Sequence, residues 1–174
     1  MREAGVLMPV SALPSSVGAG ELGEAAFHFI ELLKKNHVRI WQILPLNPVG
    51  YGNSPYQPYS SCAGDDIYIS LDTLAEEGLL KKSPMPFLEK CKKVDYERVR
   101  QYREPYLRAA FMAFVEQKGY EKPEYKEFAA QSWVYEYGVF RALKKANNGA
   151  CWNEWSEEDR TWPENRHELD AEAE

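Results

Sequence analysis

The chain has 174 residues, which is enough for one domain with a hydrophobic core but fewer than the roughly 200 that a closed barrel of alternating strands and helices needs. Its composition, 44% hydrophobic and 28% charged, is that of a globular protein, and its aromatic content reaches 13%. The net charge is −6 and basic residues are spread among acidic ones, so the sequence offers no positive face for phosphates and argues against nucleic acid as a partner.

Cysteine usage and the amino terminus bear on the compartment. Cys62, Cys91 and Cys151 are odd in number and widely spaced, which argues against a disulfide framework and against a zinc site. The amino terminus has a short apolar run that Pro9 interrupts, so it predicts neither a signal peptide nor a membrane span. We therefore expect a cytoplasmic protein without membrane contact.

The chain begins with a pattern of strand, helix and strand. An apolar run at residues 5–8, ended by Pro9, predicts a buried strand. After Gly23, apolar residues recur at helical spacing with charged residues on the other face, which predicts an amphipathic helix. Residues 38–44 are apolar on both alternating faces, as in a strand buried between layers, and Pro45 ends this run.

These three elements predict a βαβ unit, with parallel neighbouring strands and a right-handed crossover. In folds of this kind, the loops at the carboxyl ends of the strands build the site. The loop that leaves the second strand includes GYGNSPYQPYS at residues 50–60, with three tyrosines among turn-forming residues. This loop is therefore the first candidate site.

Beyond the loop the pattern becomes mostly helical. Residues 67–71 predict one more short strand, and Thr73 with Glu76 predicts a capping box for a helix that Gly78 ends. Ser156 is a candidate helix cap. A single βαβ unit leaves strand edges unpaired and faces half covered, which predicts an incomplete fold.

Two longer helices are predicted in the second half of the chain. One covers residues 95–118, with Pro105 kinking or splitting it and Gly119 ending it. The other covers residues 132–146 and stops at residues 148–149. The acidic tail after them, RHELDAEAE, is helix-prone.

The acidic residues offer no convincing catalytic pair. Asp65 and Asp66 are adjacent and precede the predicted strand at 67–71, where turn chemistry favours aspartate. Glu21 and Glu24 lie near the start of the first helix, where negative charge complements the helix dipole. Structural roles explain all four, so no catalytic residue is predicted.

Metal and cofactor sites are not indicated either. His28, His37 and His167 are isolated and lack the spacing of metal ligands, and the GxSxG motif of serine hydrolases is absent. GAGELG at residues 18–23 does match GxGxxG and opens a helix after a strand. A dinucleotide fold needs a tight turn there, whereas the strand ends well before Gly18, so nucleotide binding is the weaker interpretation.

Three interpretations of the loop at 50–60 stay open from its composition. Its glycines, asparagine and prolines form turns, and its tyrosines could simply pack their rings. Alternatively, Tyr51, Tyr56 and Tyr59 are flat amphipathic rings beside hydroxyl and amide groups, a mixture that suits sugars. PYQP at 55–58 is also a possible, though short, PxxP ligand for a partner domain.

The order of motifs carries a family resemblance. The chain contains AGVLMPVSALPSSVGAGELGEAAFHFIELL, then RIWQILPLNPVGYGNSPYQPYSSCAGDDIYISLDTLAEEGLL, VDYERV and ALKKANNGACWNEW. From about Gly5 to about Trp155 it closely resembles the amino-terminal part of bacterial 4-α-glucanotransferases, also called amylomaltases or disproportionating enzymes. Within this match, WQILPLNPVGYGNSPYQPYSSCAG is the most specific piece.

The resemblance implies a fold and a domain arrangement. The fold class expected for this chain is α/β, namely an incomplete (β/α)8 TIM barrel with a mostly helical inserted subdomain. Residues 1–72 would supply the first strands and helix, with the substrate loop at 45–66. Residues 73–174 would form the helical insertion, and the remaining barrel strands lie beyond this chain.

The resemblance also implies a reaction and binding residues. Family members transfer α-1,4-glucan segments between maltooligosaccharides by a retaining mechanism, through two carboxylates that come from later strands. Tyr51, Ser54 and Tyr56 match sugar-contacting loop positions, and Tyr96 matches a tyrosine at a secondary glucan site. Asn53 stands where the family commonly has aspartate, and Asp66 where it commonly has asparagine.

We therefore expect the amino-terminal section of a 4-α-glucanotransferase, inactive by itself, with α-1,4-glucans and the remainder of the barrel as partners. No metal or cofactor is implied. The alternatives are a non-catalytic α-glucan-binding module and a gene fragment that does not fold.

Overall fold

The computed structural model describes residues 3–81 and 93–165, and the chain divides into two compact units, Met1–Tyr120 and Glu121–Glu174. The first unit contains strands β1 (Gly5–Leu7) and β2 (Ile40–Gln42) and helices α1 (Glu24–Lys35), α2 (Leu71–Glu76) and α3 (Tyr96–Glu116). The second contains helices α4 (Pro123–Ala129), α5 (Ser132–Ala146), α6 (Glu157–Arg160) and α7 (Trp162–Asn165). The boundary predicted between residues 72 and 73 separates barrel from insertion, which is a different division from these two units, and it stays a prediction.

The predicted β1–α1–β2 unit is confirmed. The two strands pair in parallel, with Gly5 opposite Ile40 and Leu7 opposite Gln42. Helix α1 packs against the sheet through the ring of Phe29, which lies 5.1 Å from the ring of Trp41 in an edge-to-face arrangement. Beside it, a core cluster forms from Val10, Leu13 and Ala26.

The expectation that the strands are buried between layers is wrong for this chain. Leu7 is 58% exposed, Ile40 is 45% exposed, and the neighbouring Ile43 is exposed as well. On the outer side of α1, Phe27 and Leu32 are also exposed. A two-stranded sheet with one covering helix is too small to bury both of its faces, so apolar strand residues remain at the surface.

The predicted strand at residues 67–71 is also wrong. The chain forms a 3₁₀ turn at Asp66–Tyr68, because the carboxylate of Asp65 accepts a hydrogen bond of 3.1 Å from the backbone N–H of Ile67. Helix α2 then begins after Ser70, whose hydroxyl accepts a hydrogen bond of 3.2 Å from the N–H of Thr73. Ser70, and not Thr73, is therefore the helix cap, whereas Gly78 ends the helix in the left-handed conformation as predicted (φ 78°).

Helix α3 corrects two details of its prediction. The helix is continuous from Tyr96 to Glu116, so Pro105 does not split it, although the proline removes one backbone donor. Lys118, at φ 55°, and not Gly119, takes the left-handed conformation after the helix. Gly119 is required for a different reason, because a Cβ atom there would lie 2.1 Å from the ring of Phe114.

The second unit follows its prediction closely. Helix α5 covers the predicted residues and ends at Ala146, and the predicted stop residues Asn148 and Gly149 follow it in the left-handed conformation. Ser156 caps α6, since its hydroxyl accepts a hydrogen bond of 3.1 Å from the N–H of Asp159. Helix α4 was not predicted, although Pro123 at its first position is a recognised start signal.

The predicted acidic tail at 166–174 lies outside the described residues. No helix within the described ranges is long and apolar enough to cross a membrane.

Candidate functional site

The loop at 45–66 that follows β2 is closed by backbone hydrogen bonds. Val49 and Pro58 form an antiparallel bridge, and the N–H of Tyr59 donates to the carbonyl oxygen of Pro48 at 2.9 Å. The two sides of the loop are thus held together. Because Pro58 takes part in this closure, the segment PYQP is not a free extended ligand, which counts against its interpretation as a PxxP motif.

Two tight turns lie between the closed sides. The N–H of Asn53 donates to the carbonyl of Gly50 at 3.1 Å, and the N–H of Gln57 donates to the carbonyl of Ser54 at 3.1 Å. Gly52 and Asn53 have φ values of 81° and 52°. Asparagine and aspartate are the non-glycine residues that tolerate this left-handed region best, so the amide at position 53 preserves the turn that an aspartate would make.

The carboxyl side of the loop is anchored to its beginning. The hydroxyl of Ser60 accepts a hydrogen bond of 3.1 Å from the N–H of Ala63, and the side-chain amide of Asn47 donates to the carbonyl of Ala63 at 2.9 Å. The N–H of Asp65 donates to the carbonyl of Leu46 at 2.7 Å. These bonds join the loop backbone at several points between residues 46 and 65, so the backbone that carries the tyrosines is ordered before any ligand arrives.

The loop presents tyrosine rings to solvent. Tyr56 is 73% exposed and Tyr59 is 41% exposed. A Cβ atom at Gly50 would lie 3.0 Å from the ring of Tyr59, which shows that this ring rests on the glycine backbone. Ser54 is half-buried two positions before Tyr56. The structure describes the backbone of Tyr51 but not its side chain, so the predicted sugar contact of that ring lies outside the described residues.

Tyr96, the fourth predicted binding residue, lies in a different environment. It is half-buried at the start of α3, packs against the cluster of Ala19, Ile67 and Val99, and its hydroxyl donates a hydrogen bond of 3.3 Å to the hydroxyl of Ser11. These contacts are with residues outside 45–66. The structure therefore gives Tyr96 a packing role and does not bring it together with Ser54 and Tyr56.

An ion pair holds the end of the loop to helix α3. Both terminal nitrogens of Arg100 donate to the carboxylate of Asp65, each at 2.7 Å, and one of them also lies 3.3 Å from Asp66. Burial alone would raise the pKa of Asp65, but the hydrogen bonds and charge of Arg100, with the N–H of Ile67, outweigh it and lower that pKa. The same pairing raises the pKa of Arg100. Asp65 is thus fully ionised at neutral pH, and the structural role predicted for it is confirmed.

A second ion pair involves a residue that the sequence analysis missed. Arg103 is 1% exposed and donates to Glu21 at 2.8 Å and to the carbonyl of Ile69. Glu21 is therefore a partner of Arg103 rather than only a complement to the dipole of α1. The signal in the sequence was the position of Arg103, four residues after buried Val99 and seven before buried Ala110, which places a charge on the apolar face of the helix.

The glycines of GAGELG have packing roles. A Cβ atom at Gly20 would lie 2.0 Å from the carbonyl oxygen of Val10, and one at Gly23 would lie 2.6 Å from the hydroxyl of Ser70. The N–H of Gly20 donates to the carbonyl of Ser11 at 3.0 Å. Because these close contacts are within the chain itself, the motif leaves no space at Gly20 for a phosphate, and the dinucleotide interpretation loses its support.

Metal ligands do not cluster in the part of the chain that the structure describes, where no group of three or more His, Cys, Asp or Glu residues could hold an ion. Cys62 and Cys151 are exposed free thiols. Cys91 and His167 lie outside the described residues.

Comparison with known proteins gives one consistent family. The family model described as 4-alpha-glucanotransferase matches residues 8–174. The chain is 41% identical over 176 residues to a 4-alpha-glucanotransferase from Synechocystis, covering 94% of this chain and 33% of that protein. It is 37% identical to the 4-alpha-glucanotransferase of Streptococcus pneumoniae, covering 91% of this chain and 32% of that protein.

A solved structure agrees with these relatives. The amylomaltase from Streptococcus agalactiae in complex with acarbose superposes with a TM-score of 0.83 at 29% identity, covering 95% of this chain and 34% of that protein. The chain therefore spans about a third of the length of the relatives that it matches. From its sequence and its fold, it belongs to the 4-α-glucanotransferase family.

Proposed function

We propose that this chain is the amino-terminal section of a cytoplasmic 4-α-glucanotransferase and that its loop at 45–66 forms one wall of the glucan site. Family membership and the exposure of Tyr56 on a closed, hydrogen-bonded loop carry the proposal. A sugar ring has flat C–H faces and a rim of hydroxyl groups, so an exposed tyrosine ring suits the face while neighbouring polar groups suit the rim. The acarbose bound to the structural neighbour supports a sugar as the ligand class.

The proposed fold is the first β1–α1–β2 unit of a (β/α)8 barrel, with residues 73–174 as a helical insertion. The exposed apolar faces support it, since Leu7 and Ile40 on the strands and Phe27 on α1 are the kind of residue that further barrel elements would cover. The remainder of the barrel is therefore the proposed polypeptide partner of these faces.

The ion-paired acids Asp65 and Glu21 favour a binding role of this chain over a catalytic one. A retaining mechanism needs two carboxylates about 5 Å apart, one as nucleophile and the other as a proton donor. The carboxylate of Asp65 is bound by Arg100 and that of Glu21 is bound by Arg103, so both carboxylates are engaged in ion pairs within the chain. We propose that the reacting carboxylates belong to later strands and that these 174 residues alone do not catalyse transfer.

The second candidate function is a non-catalytic module that binds α-glucan. The observation that favours it is the same fixed loop, whose backbone hydrogen bonds lie within this chain and need no further polypeptide. A chain that does not fold, the remaining alternative, would show neither a cooperative unfolding transition nor saturable glucan binding.

Substitution of Tyr56 tests the loop directly. We expect Tyr56→Ala to weaken maltoheptaose binding about twofold to twelvefold, because the ring contact of one aromatic side chain contributes about 0.5–1.5 kcal/mol. Titration calorimetry on the 174-residue chain measures the change. Tyr120→Ala removes another exposed tyrosine of the same unit and should leave the affinity unchanged. Equal affinities of the wild type and Tyr56→Ala would remove the loop from the glucan site.

A further inference from the structure

The second unit contains a cavity that the loop site does not use. Its volume is about 610 Å³, within the range of about 300–1,000 Å³ typical of small-molecule sites. Aromatic side chains form much of its wall, and its lining residues all lie between positions 132 and 162. The aromatic members are Tyr135, Phe140, Trp152, Trp155 and Trp162.

Helix α5 and the segment after it hold this wall in place. Tyr135, Val139 and Leu143 line the cavity at successive turns of the helix. The indole N–H of Trp155 donates to the carbonyl of Ala150 at 3.0 Å, and its ring lies 5.8 Å from Phe140.

The part of the wall that α6 and α7 supply is also held by contacts within the unit. The ring of Trp162 lies 6.0 Å from Tyr135. Asp159 accepts a hydrogen bond of 2.8 Å from the side chain of Asn147, which ties α6 to the end of α5. These contacts within the unit order the parts of the wall that Trp155, Phe140, Trp162 and Tyr135 form, so a ligand would meet a largely preformed surface.

The chemistry of the lining combines ring faces with polar groups. Trp152 is 60% exposed although it is a large aromatic side chain. Glu136, Asp159 and Arg160 add hydrogen-bond acceptors and donors to the lining. Both charge signs are present, which does not favour a strongly anionic ligand such as nucleic acid, and the polar groups do not favour a purely apolar one. A neutral, hydroxyl-rich ligand with flat C–H faces fits this mixture.

We propose that this cavity is a second oligosaccharide-binding site, separate from the loop at 45–66, that holds a short segment of α-1,4-glucan against Trp152. The size and lining of the cavity support an oligosaccharide as the class of ligand. The α-1,4 linkage of that ligand rests on the proposed function. A polypeptide segment seated in the same cavity is the competing occupant, and it would exclude sugar from the cavity.

Tryptophan fluorescence of the 174-residue chain tests the cavity with maltotriose as the probe. Four of the five tryptophans lie in the second unit, and three of them line the cavity, so ligand binding there should change the emission in a saturable way. We expect Trp152→Ala to raise the Kd for maltotriose at least fivefold. Trp133→Ala is the matched control, since its ring packs against Phe128 and does not line the cavity, and it should keep the wild-type Kd. Circular dichroism checks that each variant keeps its helix content.

The outcomes separate this inference from the proposed function. A Kd that rises in Trp152→Ala and stays unchanged in Tyr56→Ala supports the second site, even where the loop proposal fails. A Kd that depends on Tyr56 but not on Trp152 overturns the second site and leaves the loop proposal intact. Absence of a saturable change in emission, or of a cooperative melt in the wild type, overturns the second site because the cavity is then filled or not formed.

Discussion

At the scale of single residues, the pair of Asp65 and Arg100 is the contact with the clearest energetic consequence. The carboxylate is buried, accepts two hydrogen bonds of 2.7 Å from Arg100, and joins the end of the loop at 45–66 to α3. Removing one partner of a buried pair leaves the other uncompensated, which costs more than the pair itself contributes. The position of the loop relative to α3 therefore depends on the ionisation of Asp65.

This dependence predicts how stability changes with pH. Because the pKa of Asp65 is lower in the folded chain than its unfolded value of about 3.9, the contribution of the pair is complete above that value and is lost as the pH falls through the folded pKa. We expect Asp65→Asn to lower the free energy of unfolding by on the order of 2 kcal/mol at pH 7, and to lose less stability than the wild type between pH 5 and pH 2. Denaturant titrations at several pH values measure both effects.

Asp66→Asn is the matched control, because Asp66 is half exposed and lies 3.3 Å from the same arginine. A loss of less than about 1 kcal/mol is expected there. If the two variants lose equal stability, the buried pair is not the dominant contact.

The sequence could predict one side of this pair but not the other. Asp65 follows glycine in a turn-forming stretch, so a local role was predictable. Arg100 is 35 positions away, and its pairing depends on how α3 packs, which no local pattern encodes. Tyr96 shows the same limit, since its bond to Ser11 joins residues 85 positions apart.

At the scale of elements, the start of α2 separates the sequence prediction from the structure. Ser70 is buried and its hydroxyl accepts the N–H of Thr73, whereas the sequence pattern favoured Thr73 as the cap. We expect Ser70→Ala to lower the free energy of unfolding by about 1 kcal/mol, the usual cost of losing a side-chain cap. Thr73→Ala should cost clearly less. Thermal or denaturant melts of the two variants decide the matter, and a larger loss in Thr73→Ala would restore the sequence-based assignment.

The same region shows why the strand prediction failed. Alternation of apolar and polar residues over five positions fits a strand, but capping aspartate and serine side chains at Asp65 and Ser70 offer the backbone local hydrogen bonds instead. Longer elements were predicted better, because α1 and α5 repeat their apolar spacing over several turns and carry clear end signals. Signals at element ends also mark short helices, as Ser156 shows for α6.

At the scale of the whole molecule, the apolar residues that remain exposed are the main feature. Leu7, Ile40 and Phe27 lie at the surface of a chain that spans about a third of its relatives. The parallel pairing of β1 and β2 was predictable from the order of elements, whereas the exposure of their faces was not, because the alternation of apolar residues does not tell how many layers cover a sheet. The catalytic step of the family is proposed to depend on polypeptide outside these residues.

Glucose release from maltotriose tests this account most directly. The release is measured for the 174-residue chain alone and for a fusion protein, in which the chain is joined to the part of the Synechocystis relative that it does not match. We predict no glucose or longer oligomers from the chain alone, and both products from the fusion, with a reduced rate when Tyr56→Ala is introduced into it. Disproportionation by the chain alone, or a folded fusion that stays inactive, would contradict the account.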